Sequence, residues 1–467
     1  MTHHRPGEAA VLLAESALRS ARTAAERGQD ADAEAMAREG LSELVGPPTA
    51  ETDRLRMELL ELLLLVTEPV WSRSPEFRAA NPLERWAADL EASATRTGEL
   101  QLRIRAAAVA ARVLHRTQGV EAALEVQQRA VELARQSGDA VVQFLTLSAY
   151  GRELGKRDLR AGLAVLLEAE KRAKATPEIM ASRSPVLRGA FRRTELQIGI
   201  GEFDAGYLGI AKQRLEFAVN RLRAEPISAP LLPTALNYLA QVQLACGLTD
   251  PAGDTLTEAL GLGDGTPDAW HAYSLALFGR LRVEHGDLAA GVHVLETAWS
   301  EAQRTRSLTV ATLVCNLYAE GLLVMAGRHV ETLNAAEELL AANLERCQRS
   351  AMVRSEVAAH SLLARLHLVL DELPQAQVAS DAAMELYGRR GPLPSLRGEE
   401  VLYWHAEVQR RCGRVDLAVD ALGAARQLVR TKGGSLDPDL RELFLAVPLN
   451  QRIAAPMDGV AEGMGEL

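Results

Sequence analysis

The chain has 467 residues, 48% of them apolar but only 4% aromatic, and 52 Lys plus Arg stand against 62 Asp plus Glu for a net charge of −10. That acidic balance argues against direct binding to nucleic acid or to an anionic membrane surface. The four cysteines, Cys246, Cys315, Cys347 and Cys412, form no CxxC pair, which argues against a zinc knuckle or a disulfide framework. No leader pattern and no apolar run of about 18 residues is read in the sequence, so a cytoplasmic location is expected.

Ala and Leu carry the apolar share, and both favour helix packed on helix. In chain order, small residues seven apart mark successive helices: Ala33/Gly40, Ala87/Ala94, Ala123/Ala130, Gly162/Ala169, Ala211/Ala218, Ala252/Ala259, Gly291/Ala298, Ala376/Ala383 and Ala418/Ala425. A further unit, after Gly327, has Thr332/Leu339 in that place. A residue without bulk lets two helix backbones approach, and the seven-residue spacing keeps both members of a pair on one face. Gly206, Gly247, Gly286 and Gly413 each stand five residues before such a pair, where a left-handed helix end needs no Cβ, and Asp371 takes the same place in its own unit. From Ala211 onward the units recur after 41, 39, 41, 44 and 42 residues.

Three segments break the rhythm. Residues 67–82 are rich in proline and read as a long loop carrying Trp71 and Phe77, either partner anchors or plugs for a neighbouring groove. Residues 225–233 hold three prolines and divide repeats at 7–224 from repeats at 234–450. Near the end, Leu436 to Arg441 opens a short helix and Phe444 to Asn450 closes it as a cap for the last repeat, with disorder expected over 451–467.

The clearest unit places Leu275, Phe278 and Gly279 on one helix, Gly286 and Asp287 in the turn, and Gly291 and Ala298 on the next. This pattern resembles the tetratricopeptide repeat, with a period longer than the usual 34 or so residues. It is similar to the repeat arms of bacterial signalling ATPases and LuxR-type large ATP-binding regulators. The resemblance implies an all-α, right-handed superhelical solenoid of about ten helix pairs, whose first helices line a concave wall. It also implies an adaptor or sensor that takes a protein or peptide there. One alternative is a regulatory arm for a bacterial transcription or signalling system whose ATPase and DNA-binding parts lie on another chain. Another is an all-helical enzyme.

Catalytic and cofactor motifs are not found: there is no GxxxxGK[ST], GxSxG or HExxH, so no catalytic residue, metal or cofactor is expected. Thr431 to Ser435 is glycine-rich but reads as a helix end. His405-Ala406-Glu407 lacks the Pro-Cys-x-x-Cys partner of zinc deaminases. His360, His367 and Glu356 are the residues an enzyme in a helical cleft would draw on. Counting from the turns places Arg105, Arg112 and Arg116 on the wall, followed by Arg152 and Arg193. Later in the chain it adds Asn237, Tyr238, Gln241, Tyr273, Arg280, Glu284, Tyr318, Arg365, Tyr403 and Glu407. Arginine and tyrosine clamp carboxylates and present flat apolar area, and Tyr273 and Arg280 are expected to project away from their helix's packing surface. A homodimer through an end of the array is left open.

Overall fold

The computed structural model describes residues 6–455 except 28, 72–82, 183, 226–230, 263–267, 306, 328, 350–351, 392 and 394–395, and leaves aside the side chains of 6–8, 68–71, 116, 185 and 186. Among the described residues there are twenty-three helices and no strand. They divide into two compact units: residues up to 154 with 168–180, and 155–167 with 181 onward.

The first unit contains α1 (Pro6–Glu26), α2 (Asp30–Glu43), α3 (Ala50–Trp71), α4 (Leu83–Thr97), α5 (Leu100–Thr117), α6 (Val120–Ser137) and α7 (Ala140–Leu154), together with the second half of α8 (Leu159–Ala175) and the single turn α9 (Pro177–Met180). Ala14, Leu18, Ala33, Ala37, Leu59 and Leu63 make one core, and Met57, Leu64, Leu83, Leu90, Ala110 and Val126 make the next. The segment expected to be a loop from Thr67 starts as helix, because α3 continues through Pro69 to Trp71. Pro69 removes one helical hydrogen bond, the one to the carbonyl of Leu65, and Leu65 is exposed, so water can serve that oxygen. Phe77 lies outside the described residues, as does the side chain of Trp71.

The second unit holds α10 (Pro185–Asp204), α11 (Leu208–Ala224), α12 (Leu232–Ala245), α13 (Thr249–Gly261), α14 (Ala269–Glu284), α15 (Leu288–Arg304), α16 (Leu308–Ala326), α17 (Val330–Arg349), α18 (Val353–Val369), α19 (Leu373–Arg390), α20 (Gly398–Arg411) and α21 (Val415–Gly434). The short α22 (Pro438–Ala446) and α23 (Pro448–Ala454) complete it. From α10 each helix pairs with its successor, so the sequence-derived small pairs all fall on second helices, and every one of the nine is buried.

The turns share one geometry. Gly206, Gly247, Gly286 and Gly413 have φ of 86°, 80°, 84° and 76°, and Asp371, at 62°, is the one described non-glycine residue with positive φ. In each, the next amide reaches back five residues: Tyr207 to Glu202, Leu248 to Gln243, Asp287 to Arg282, Glu372 to His367 and Arg414 to Gln409, at 2.8 to 3.0 Å. This bond satisfies a carbonyl that the helix end would leave orphaned. At the α14/α15 crossing a Cβ on Gly291 would stand 2.9 Å from the Gly279 carbonyl oxygen, and one on Gly279 would stand 3.0 Å from that of Gly291. Backbone contact there requires the missing side chains.

The unit after Gly327 departs from the register. Thr332 and Leu339 are only half-buried, while Leu333 and Leu340 are each 1% exposed. The cause is helix length: α16 runs to the residue directly before its glycine, whereas α12, α14, α18 and α20 stop two residues short of Gly247, Gly286, Asp371 and Gly413. α16 is also long and apolar enough to cross a membrane by length and composition, and 61% of that window is buried in the protein. It is a central packing helix of the second unit.

The second unit also joins its own ends. Leu196 to Ala259 and Ala364 to Ile453 contribute to one continuous core. Cβ atoms on Gly247 and Gly209 would lie 2.6 Å and 2.8 Å from the carbonyl oxygens of Leu443 and Ser435. The closing helices therefore pack against the first pairs of the unit as well as on the preceding repeat, Phe444 being 2% exposed. The final helix runs through 451–454, and 456–467 lie outside the described residues.

Candidate functional site

The inner face of the second unit is built from the first helices of its pairs. On α14 the spacing of Trp270, Tyr273, Leu277, Arg280 and Glu284 keeps five side chains in one stripe. On α20 the same spacing aligns Glu400, Tyr403, Glu407 and Arg410.

Aromatic and amide groups hold the α12/α14 end. The Trp270 ring lies 6.4 Å from Tyr238 and 6.3 Å from Tyr273, both tilted. The Tyr273 hydroxyl donates to Gln241 Oε1 at 3.1 Å, and Gln241 Nε2 donates to the Asn237 carbonyl at 3.3 Å. Asn237 is fully buried; its Nδ2 donates to Ser274 Oγ at 2.9 Å and to the carbonyls of Pro233 and Trp270. Its Oδ1 is buried with no hydrogen-bond partner. Asn237 thus ties α12 to α14 and positions the wall. Tyr273, expected to project freely, is 5% exposed and belongs to the α14–α16 core. Burial raises its hydroxyl pKa.

Charge dominates the other end. Arg280 is about a quarter exposed and pairs with Glu284 at 3.0 Å. Burial pulls its pKa down, but Glu320 of α16, Glu284 and Glu400 of α20 outweigh that and raise it. Glu320 and Glu400 also act on Arg365 of α18, whose guanidinium sits 4.8 Å from the Trp404 ring centroid. Arg365 is 7% exposed, and burial lowers its pKa. Glu407 is committed to Arg410 at 2.9 Å. Four successive first helices therefore place interacting charges on one face.

Tyr318 lies elsewhere. The groups acting on its half-buried hydroxyl are Glu296 of α15 and its own helix's Cys315, and it stands two residues, about 200°, around α16 from Glu320. A register counted back from Gly327 does not carry over to the longer α16, which is why Glu320 escaped it. The equivalent signal was present: Asn316, four residues before Glu320, donates to the Ser355 carbonyl of the next first helix, as Asn237 donates toward α14 four residues before Gln241. Glu400, Trp404 and Arg452, which act on or stack against Arg365, were also missed.

In the first unit Arg105 is exposed and pairs with Glu61 of α3 at 2.5 Å, Arg112 is exposed, and the side chain of Arg116 is outside the described residues. A cavity of about 340 Å³ lies on the other side of α5, lined by Glu91, Arg103, Val126, Arg129 and Gln136 among others. Arg193 is exposed on α10, and Arg152 Nε donates to the Ser148 carbonyl at 3.3 Å within α7.

Of the residues an enzyme reading would draw on, Glu356 and His360 stand one turn apart on α18, and His367 two turns beyond His360. His367 Nδ1 meets Glu372 at 2.9 Å beside the turn, and His405 Nδ1 meets Ser380 Oγ at 2.7 Å. Among the described residues no three His, Cys, Asp or Glu side chains gather as metal ligands. Burial pushes the thiols of Cys246, Cys315 and Cys347 up to about 12, so they stay protonated. Gly433 and Gly434 fall inside α21, and a Cβ on Gly433 would meet the Phe444 ring at 3.3 Å, so Gly433 serves packing.

No family model and no curated protein sequence matches the chain. Among solved structures it is similar to a Rap protein complexed with competence and sporulation factor, at 11% identity and a TM-score of 0.49, covering 75% of this chain and 98% of that one. It is similar to the Rap conjugation gene regulator of plasmid pLS20 in complex with the Phr* peptide, at 12% identity and a TM-score of 0.49, covering 91% and 98%. It is also similar to the apo quorum sensor NprR from B. thuringiensis, at 14% identity and a TM-score of 0.48, covering 80% and 98%. The chain's own paired helices, buried small pairs and repeated turns make it a tetratricopeptide-like helical array.

Proposed function

We propose that the chain is a non-catalytic, cytoplasmic adaptor or sensor that binds a short peptide on the inner face of its second unit. The observation that carries this reading is the convergence of Arg280, Glu320, Arg365 and Glu400, from four successive first helices, on one partly open face. An extended peptide alternates backbone donors and acceptors with side chains, and a wall of arginine, carboxylate, amide and tyrosine suits all of these. The three buried, protonated thiols fit a reducing compartment. The first unit's exposed arginines, Arg105 and Arg112, are proposed as a secondary protein-contacting surface.

The test is panning of the purified chain against a displayed library of random heptapeptides, followed by titration of the best binder. Arg280→Ala should weaken that binding at least tenfold while the protein keeps its helical fold, because the ion pair of Arg280 is with Glu284 one turn along its own helix and α14 packs through Tyr273 and Leu277. Unchanged binding by the variant would sink the assignment of this face.

A further inference from the structure

We propose that the cavity between α4 and α6 in the first unit binds a small planar aromatic carboxylate, whose ring lies on the apolar floor and whose acid group meets the arginines of the rim. This site is separate from the inner face of the second unit and does not depend on the peptide reading.

Elsewhere in the chain the groove between successive second helices is filled by a tryptophan under an arginine. The Arg38 guanidinium of α2 sits 4.8 Å from the Trp86 ring of α4, and that of Arg346 on α17 sits 5.2 Å from the Trp299 ring of α15. Trp299 directly follows Ala298, the second small residue of its pair, and Arg346 stands six residues past Leu340, the buried residue in that place on α17. The same counts from Ala94 and Ala130 lead to Thr95 and Gln136, and both of these line the cavity of about 340 Å³. Two shorter polar side chains thus stand where α15 and α17 carry a ring and a guanidinium, and no aromatic side chain lines this cavity. The next groove, between α6 and α8, closes to about 10 Å³ beside Arg172, whose Nη1 donates to Gln143 Oε1 at 2.9 Å.

The floor is formed by Ala107, Val126 and Ala130, each no more than 5% exposed, with Leu133 half-buried beside them. Arg103 of α5 is half-buried and Arg129 of α6 is exposed, and among the described residues neither guanidinium makes a hydrogen bond or an ion pair. The cavity's own carboxylates leave them available: Glu132 makes no ion pair, and Glu91 of α4 feels the charge of Arg129 without being bonded to it. A guanidinium both stacks on aromatic faces and takes a carboxylate through two parallel N–H groups, so an aromatic acid uses both properties. The volume lies at the small end of the roughly 300–1,000 Å³ usual for ligand sites, which suits one ring or two fused rings.

Calorimetric titration of the full chain with indole-3-acetate, with its amide and with cyclohexylacetate tests each part of the proposal. The aromatic acid should bind, and the amide and the saturated acid should each bind about tenfold or more weaker. Arg103→Met should weaken indole-3-acetate by a similar factor. Thr95→Trp, which places a ring at the register of Trp299 on an exposed position, should block binding while circular dichroism stays unchanged. If Thr95→Trp folds poorly, Arg103→Met alone carries the comparison. The proposal is overturned if indole-3-acetate does not bind, if either control binds equally well, or if binding survives substitution in the cavity.

Discussion

Each turn glycine has a φ near 80°, and the price of a Cβ there is paid in backbone conformation. Nothing lies within 4 Å of the place a Cβ would take at Gly286, so Gly286→Ala should destabilise by about 1 kcal/mol through the backbone alone. Asp371 already occupies the left-handed region at 62°, so the reverse change, Asp371→Gly, should be neutral or stabilise by up to about 1 kcal/mol. Its ion pair with Arg411 is largely exposed on the Asp371 side and contributes little. Chemical denaturation of the two variants checks both signs. These turns were legible because a five-residue offset to a small residue is a local pattern. Tyr273 was misread for the opposite reason: spacing identifies its stripe, but whether the stripe is open or packed depends on Trp270, Tyr238 and Gln241, which arrive from elsewhere on the helix or from another one.

At the scale of elements, the buried ion pair of α20 and α21 has a defined pH dependence. Glu399 is 4% exposed, and Lys432 Nζ donates to its two oxygens at 2.8 and 2.7 Å. Burial pushes the Glu399 pKa up, but Lys432 and Arg397 outweigh it and hold the group below its ordinary 4.5. A depressed folded value means that the pair stabilises above pH 4.5 and that this contribution fades as pH falls through the lower folded value. Lys432→Met leaves the carboxylate buried without its main partner and should cost about 3–5 kcal/mol near neutrality. The difference from the parent protein should narrow in melts performed below pH 4.5; a constant difference would show that packing of the Lys432 stem against Gly206 carries the effect instead. Sequence reading placed the end of α21 within Thr431 to Ser435, where it lies, but ended α3 early, at Thr67, because a proline marks a helix end only when the freed carbonyl cannot be served otherwise.

The whole molecule holds ten helix pairs' worth of pattern that composition and spacing reveal, since repetition makes each unit evidence for the others. The meeting of Gly247 with Leu443 and of Gly209 with Ser435 was not legible, because contacts some 200 residues apart leave no periodic trace. The continuity of the core from one end of the second unit to the other follows from that meeting. Photo-crosslinking tests the central claim most directly: a captured heptapeptide carrying a photoreactive phenylalanine is irradiated on the intact chain and the attachment points are read by mass spectrometry. The account predicts attachment within α14, α16, α18 and α20, on the side bearing Arg280, Glu320, Arg365 and Glu400. Attachment confined to second helices such as α15 or α19, or to the first unit, would contradict it.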